Sequence, residues 1–149
     1  MSVDNFCNRE VVITSKDTSI VEVAQLMRQH HVGDIVVVDS SGDQPVPIGI
    51  VTDRDIVIEL VAGEVALDSI TAGDMMSYDL ATAKEQDGIW DTLQYMCSKG
   101  IKRMPVVNEQ GGLEGILTAN DLLELFAEEL TLLARITTGG LTREKKARE

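Results

Sequence analysis

The chain has 149 residues, 44% of them hydrophobic and 26% charged, with 13 Lys/Arg against 25 Asp/Glu for a formal charge of −12. That length suits one domain or two small units sharing a core, and that composition excludes a disordered or fibrous chain. A net-negative surface repels nucleic acid and anionic lipid, and no apolar run approaches the ~18–20 residues of a membrane span.

In chain order, residues 11–14 read as a short strand. A helix follows, opened by the capping-box spacing Ser19-x-x-Glu22, with Ile20, Val23, Ala24 and Met27 on one face. His30 and His31 end it, a place where a cationic imidazole favours the helix dipole, and Gly33 supports a stop. A buried strand at 35–38, a turn through Ser41-Gly42-Asp43 and a strand at 48–51 then read as a hairpin. A second helix is expected over 52–62.

The same series returns. A strand is expected at 80–83, a helix from Asp87 or Gly88 with Ile89, Leu93 and Met96 as its stripe, then Gly100, strands at 104–107 and 113–117, and a helix over 118–136. At an offset of 69, Ile20, Gln25, Met27, Val37 and Val38 recur as Ile89, Gln94, Met96, Val106 and Val107. At an offset of 66, Gly49, Ile50, Thr52 and Asp55 recur as Gly115, Ile116, Thr118 and Asp121. The length difference falls in the hairpin turn, as it should in a structural repeat. The expected fold class is α/β (α+β): two β-α-β-β-α units packed as a pseudo-two-fold pair, the first strand of each parallel to a hairpin strand. The expected boundaries are 4–63, a linker at 64–72, a second unit at 73–134 and a C-terminal tail at 135–149, whose charged last stretch LTREKKARE (141–149) is expected to be disordered.

Other residues read as structural. Met75 and Met76 suit packing, and Trp90 suits filling space between helices. Cys7 and Cys97 fit neither a disulfide framework nor a metal spacing, so reduced, partly buried thiols are expected. No nucleophile–base pair, phosphate loop or zinc motif occurs, so an enzyme is not expected, and neither is a bound metal. The first residues lack a leader's pattern, and the expected location is cytoplasmic.

The paired segments GIVTDRD and GILTAND, with KRMPVV upstream of the second and SITAGDMM leading into it, resemble a tandem pair of CBS domains, a Bateman module. The first copy departs from the usual strand, having Val36 where Pro105 stands in the second. In each Thr-x-x-Asp, the Thr can cap the helix and the Asp can meet the helix dipole. The same Asp can accept hydrogen bonds from a ribose diol, beside a helix N-terminus suited to phosphate.

The resemblance implies two nucleotide sites between the repeats. Site A would combine Thr52, Arg54 and Asp55 with Leu80, Ala81, Thr82, Lys102, Arg103, Met104 and Pro105. Site B would combine Thr118 and Asp121 with Val11, Val12, Ile13, Thr14, Gly33, Asp34 and Ile35. Lys102-Arg103 would favour phosphate in site A, whereas Asp34 stands in site B where Arg103 stands in A and would repel it. The implied ligand is AMP, ADP or ATP, with NAD or S-adenosylmethionine as further members of the class, and no cofactor is required. The implied function is a regulatory adenosyl-ligand sensor read by a partner protein. The other reading is a ligand-free dimerisation or interaction module. The apolar face Leu122, Phe126, Leu130 and Leu133 either covers the module's own core or meets a second copy, and the pairing common in such modules implies a homodimer.

Overall fold

The computed structural model describes residues 1–148. Each repeat forms its own three-stranded sheet. The first comprises β1 (Ile13–Thr14), β2 (Asp34–Asp39) and β3 (Val46–Thr52), in that spatial order. The second comprises β4 (Ala83–Lys84), β5 (Arg103–Val107) and β6 (Leu113–Thr118). The first strand pairs parallel to the central one, and the central one antiparallel to the third. Helices α1 (Ile20–His30) and α4 (Ile89–Lys99) make the crossovers. Helix α2 (Asp53–Asp55) runs into a π-helical stretch, Ile56–Val61, and α3 (Ala72–Met75) leads into the second repeat.

Local chemistry explains the helix ends. Ser19 Oγ accepts from Glu22 N at 3.2 Å. The C-cap of α1 is His31, not Gly33; it adopts the left-handed conformation at φ 54°, as Gly100 does at φ 66° after α4. Non-glycine residues rarely take that conformation.

The central strands are buried on both faces, which explains their continuous apolar run. Ile35 and Val37 face α1 together with Ile20, Val23 and Met27. Val36 and Val38 face the opposite way and join Ile116 and Ile50 in a cluster between the repeats. In the second repeat, Met104, Val106 and Leu117 form the core with Ile89, Met96 and Leu122.

The repeats exchange their leading segments. Val3, fully buried, sits in the core of the second repeat, with Phe6 and Cys7 against it. Asn8 N donates to Ile116 O, and Ile116 N to Asn8 O, both at 2.8 Å. Arg9 adds ion pairs to Glu85 and Glu114 at 3.1 and 3.3 Å. Reciprocally, Ala72 and Met76 are buried in the first repeat's core, and Ala72 N donates to Thr18 O at 2.8 Å. Gly49 and Gly115 make room for these segments. A Cβ on Gly49 would lie 2.7 Å from Met76 Cβ, and one on Gly115 would lie 2.8 Å from Asn8 O.

Three expectations are corrected. Of the charged stretch expected to be disordered, residues 141–148 are helical, because α5 runs unbroken from Ala119 to Arg148, past its expected end at 136, and residue 149 lies outside the described residues. Its basic residues near the C-terminus, Lys145, Lys146 and Arg148, suit the helix dipole, and Glu144 pairs with Arg148. Trp90 does meet a neighbouring helix, stacking flat on Phe126 of α5 with ring centroids 5.6 Å apart, but it does so at the surface, 60% exposed, and fills no buried gap. Cys97 is exposed, although Cys7 is partly covered. Among the described residues, no helix is long and apolar enough to cross a membrane.

Candidate functional site

Both hairpins end in Gly-Ile-hydrophobic-Thr and turn directly into a helix. Thr52 is the N-cap of α2. Its Oγ1 accepts from Asp55 N, and Asp55 Oδ2 accepts from Thr52 N, each at 3.2 Å. That is a closed capping box, which ties the Asp55 carboxylate to the backbone. In the second repeat Thr118 Oγ1 accepts from Asp121 N at 3.1 Å. Among the described residues no return bond holds the Asp121 carboxylate, which lines a cleft instead.

That cleft, B, has a volume of about 300 Å³ and lies between the repeats. It brings together Val11, Val12, Gly33 and Asp34 from the first repeat with Thr118 and Asp121 from the second. Ile13, Thr14 and Ile35 do not line it: Ile13 is exposed, and Thr14 and Ile35 are buried. Asn8, Glu10, His31, Val32, Val36, Arg103, Ile116 and Asn120 complete the wall. His31 was legible only as a helix end, and its alignment with Gly100 was the available signal that it caps the helix beside the cleft.

A second cleft, A, of about 280 Å³, contains Leu80, Ala81 and Arg103 of the expected set. Thr52, Arg54, Asp55, Thr82, Lys102, Met104 and Pro105 are not in its wall. Met104 and Pro105 are buried in the sheet, Lys102 and Arg54 point to solvent, and Thr82 lines a neighbouring depression. The cation beside Arg103 in this wall is Lys99, not Lys102, and it lies 5.8 Å over the ring of Tyr95. The i, i+4 spacing of Tyr95 and Lys99 on α4 was a readable signal for this pair.

Arg103 belongs to both clefts. Its Nε lies 2.9 Å from Asp34 Oδ2, whose side chain is 16% exposed. The contact lacks the alignment of a hydrogen bond, so this buried oxygen is charge-paired but has no hydrogen-bond partner among the described residues. Burial pushes the Asp34 carboxyl above its ordinary value; Arg103 opposes the rise, and Asp53 and Asp121 add to it.

A carboxyl that binds its proton more tightly when folded contributes stability that is fully present below its unfolded pKa. That contribution is lost as pH rises through the raised folded value. Asp34→Asn should therefore gain in melting temperature relative to the parent as pH goes from about 3 to 7. Thermal denaturation at both pH values checks this, and a pH-independent difference would refute it.

The clefts can be set beside known proteins. A CBS-domain profile matches residues 3–62 and 72–128. An uncharacterized protein of Methanopyrus kandleri is 36% identical over 125 residues; the match covers 84% of this chain and 62% of that protein, so the chain spans less than two thirds of this relative. The CBS domain protein PAE2072 from Pyrobaculum aerophilum, solved complexed with AMP, superposes with a TM-score of 0.71 at 26% identity, covering 85% of this chain and 99% of that one. The CBS domain pair of protein MJ0100, in complex with 5′-methylthioadenosine and S-adenosyl-L-methionine, gives a TM-score of 0.72 at 25% identity, with coverage of 85% and 99%. With both repeats matched and the fold shared, this chain belongs to the CBS-domain family, as a tandem pair.

Proposed function

We propose that the chain is a regulatory sensor that binds adenosyl ligands in the clefts between its repeats. The observation that carries this reading is cleft B, where Val11 and Val12 lie across from the unengaged carboxylate of Asp121. Apolar side chains suit an adenine face, and two carboxylate oxygens suit the paired hydroxyls of a ribose. The solved pairs complexed with AMP and with 5′-methylthioadenosine and S-adenosyl-L-methionine support this ligand class.

The charges of the walls sort the ligands. Cleft A presents Lys99 and Arg103 against Asp79, which favours a phosphate. Cleft B presents Glu10, Asp34 and Asp121 against Arg103, which favours an adenosyl compound without one. A thermal-shift panel of AMP, ADP, ATP, NAD and S-adenosylmethionine tests the proposal. A ligand confined to the folded state stabilises it by about 2.7 kcal/mol at a hundredfold excess over Kd. No shift across the panel would overturn the sensor reading in favour of a ligand-free interaction module.

The readout surface we propose is a homodimer, and beyond it a regulated partner protein. Val57, Ile58 and Val61 are exposed on the first repeat's last helix, and Leu123, Leu130 and Leu133 on α5, which leaves both helices with uncovered apolar faces. Leu123 and Leu130 are each 67% exposed, so replacing both with Glu should leave the fold intact. Sedimentation should give twice the 16.2 kDa chain mass for the parent and the single mass for L123E/L130E. A parent that sediments as a monomer at micromolar concentration refutes the dimer.

A further inference from the structure

Asp34 and Arg103 occupy equivalent places. Each opens the central strand of its repeat, and each pairs in register with the Thr of its own Thr-x-x-Asp, Asp34 with Thr52 and Arg103 with Thr118. Related residues of opposite charge therefore meet across the pseudo-two-fold axis, at 2.9 Å. Around Asp34 the charged groups are Arg103, Asp53 and Asp121. Arg103 is the one cation among them, and it also borders both clefts. A buried carboxylate that loses its counter-ion is strongly unfavourable, and its field reaches into whatever cavity it faces.

We propose that Arg103 is a single counter-ion shared by the two clefts, so that the chain holds one phosphorylated adenosine ligand at a time, in cleft A, and leaves cleft B to an adenosyl ligand without a phosphate. This rests on the adenosyl-sensor reading and adds to it a rule of occupancy. A phosphate in cleft A competes with Asp34 for the guanidinium, whose several N–H donors suit a phosphate better than the single misaligned contact to Asp34. Asp34 is then left as an uncompensated anion on the wall of cleft B, joined there by Glu10 and Asp121. A second phosphate meets three carboxylates with only the His31 imidazole left to face it, whereas a neutral or cationic adenosyl compound meets no repulsion. Binding in A thus works against a second phosphorylated ligand in B and leaves an uncharged one unaffected.

Calorimetric titration of the full chain tests this, with AMP and 5′-methylthioadenosine as the two probes. The parent should bind AMP with a stoichiometry of one, and the AMP-saturated protein should still bind 5′-methylthioadenosine. Asp34→Asn keeps the shape, removes the charge and should raise the AMP stoichiometry to two, tightening the second site by about tenfold or more, within the usual range of coupling between sites. Lys99→Ala should weaken the first AMP alone, which places it in cleft A. Should Asp34→Asn fold poorly, the exchanged pair Asp34→Arg with Arg103→Asp keeps the ion pair and should retain a stoichiometry of one. Two equal AMP sites in the parent, or one site in a folded Asp34→Asn, would overturn the shared counter-ion while leaving the sensor reading standing. Failure of the parent to bind either probe would overturn the sensor reading itself.

Discussion

Replacing Gly115 with Val is expected to lower the melting temperature by roughly 5–10 °C, from an overpacking cost of about 2–3 kcal/mol at about 2–4 °C per kcal/mol for a chain of this size. The argument is steric. A Cβ at this position falls 2.8 Å from Asn8 O and 2.9 Å from Cys7 Sγ, and Asn8 is fixed by two backbone hydrogen bonds to Ile116. Backbone cannot step aside as a side-chain tip can, so the N-terminal segment must lift and take Val3 out of the second repeat's core. Cys7 reports the lift directly. Its thiol is partly covered and held above its ordinary pKa by burial, so it should react with a maleimide faster in the variant, while the exposed Cys97 reacts at an unchanged rate. An unaltered melting temperature together with an unaltered Cys7 rate would show that the segment does not depend on this contact.

Asp121→Ala should weaken 5′-methylthioadenosine by at least about a hundredfold, because two charge-assisted hydrogen bonds to a ribose are lost, each worth about 1.5 kcal/mol or more. Its melting temperature should stay close to the parent's, since Thr118 caps α5 by accepting from the backbone nitrogen of residue 121, not from its side chain. Asp55→Ala should show the opposite balance. Its carboxylate closes a capping box with Thr52, so its loss should cost about 1 kcal/mol of stability. Calorimetry and thermal denaturation on the two variants separate the roles. Equal binding losses would mean that the capping box of the first repeat opens to serve a ligand.

The repeat in the sequence made the architecture legible. The offsets of 69 and 66 aligned α1 with α4 and each hairpin with its counterpart, and the parallel–antiparallel order of both sheets followed from the βαβ crossover. Gly49 and Gly115 were visible as a matched pair, but their reason was not. What presses on each is a segment of the other repeat, and such distant neighbours leave no periodic trace. The site was legible where it depends on strand-to-helix junctions, as with Thr118 and Asp121, and on the first-strand edge, as with Val11 and Val12. It was obscured where adjacent residues point apart. Lys102 and Arg103 look like one basic pair in sequence, yet only Arg103 enters the clefts. The C-terminal segment was misjudged from its charge. Its charges instead support the helix, since Glu144 pairs with Arg148 one turn on and Lys145, Lys146 and Arg148 suit the C-terminal end of the dipole, an arrangement that a composition count does not show.

Helix α5 has a mechanical consequence. Asn120 and Asp121, in its first turn, are part of the wall of cleft B, while its far end stands clear of both repeats. At 1.5 Å per residue, the stretch from Ala119 to the glycines at 139 and 140 is about 30 Å long. A tilt of only 5° at the cleft would sweep its outer end by about 2.6 Å over that length. Beyond it, Gly139 and Gly140 have no neighbour within 4 Å of a would-be Cβ, and they form the softest joint of the rod. The helix is thus a lever rooted in the wall of cleft B, and a rearrangement there too small to alter either core would be magnified at its outer end.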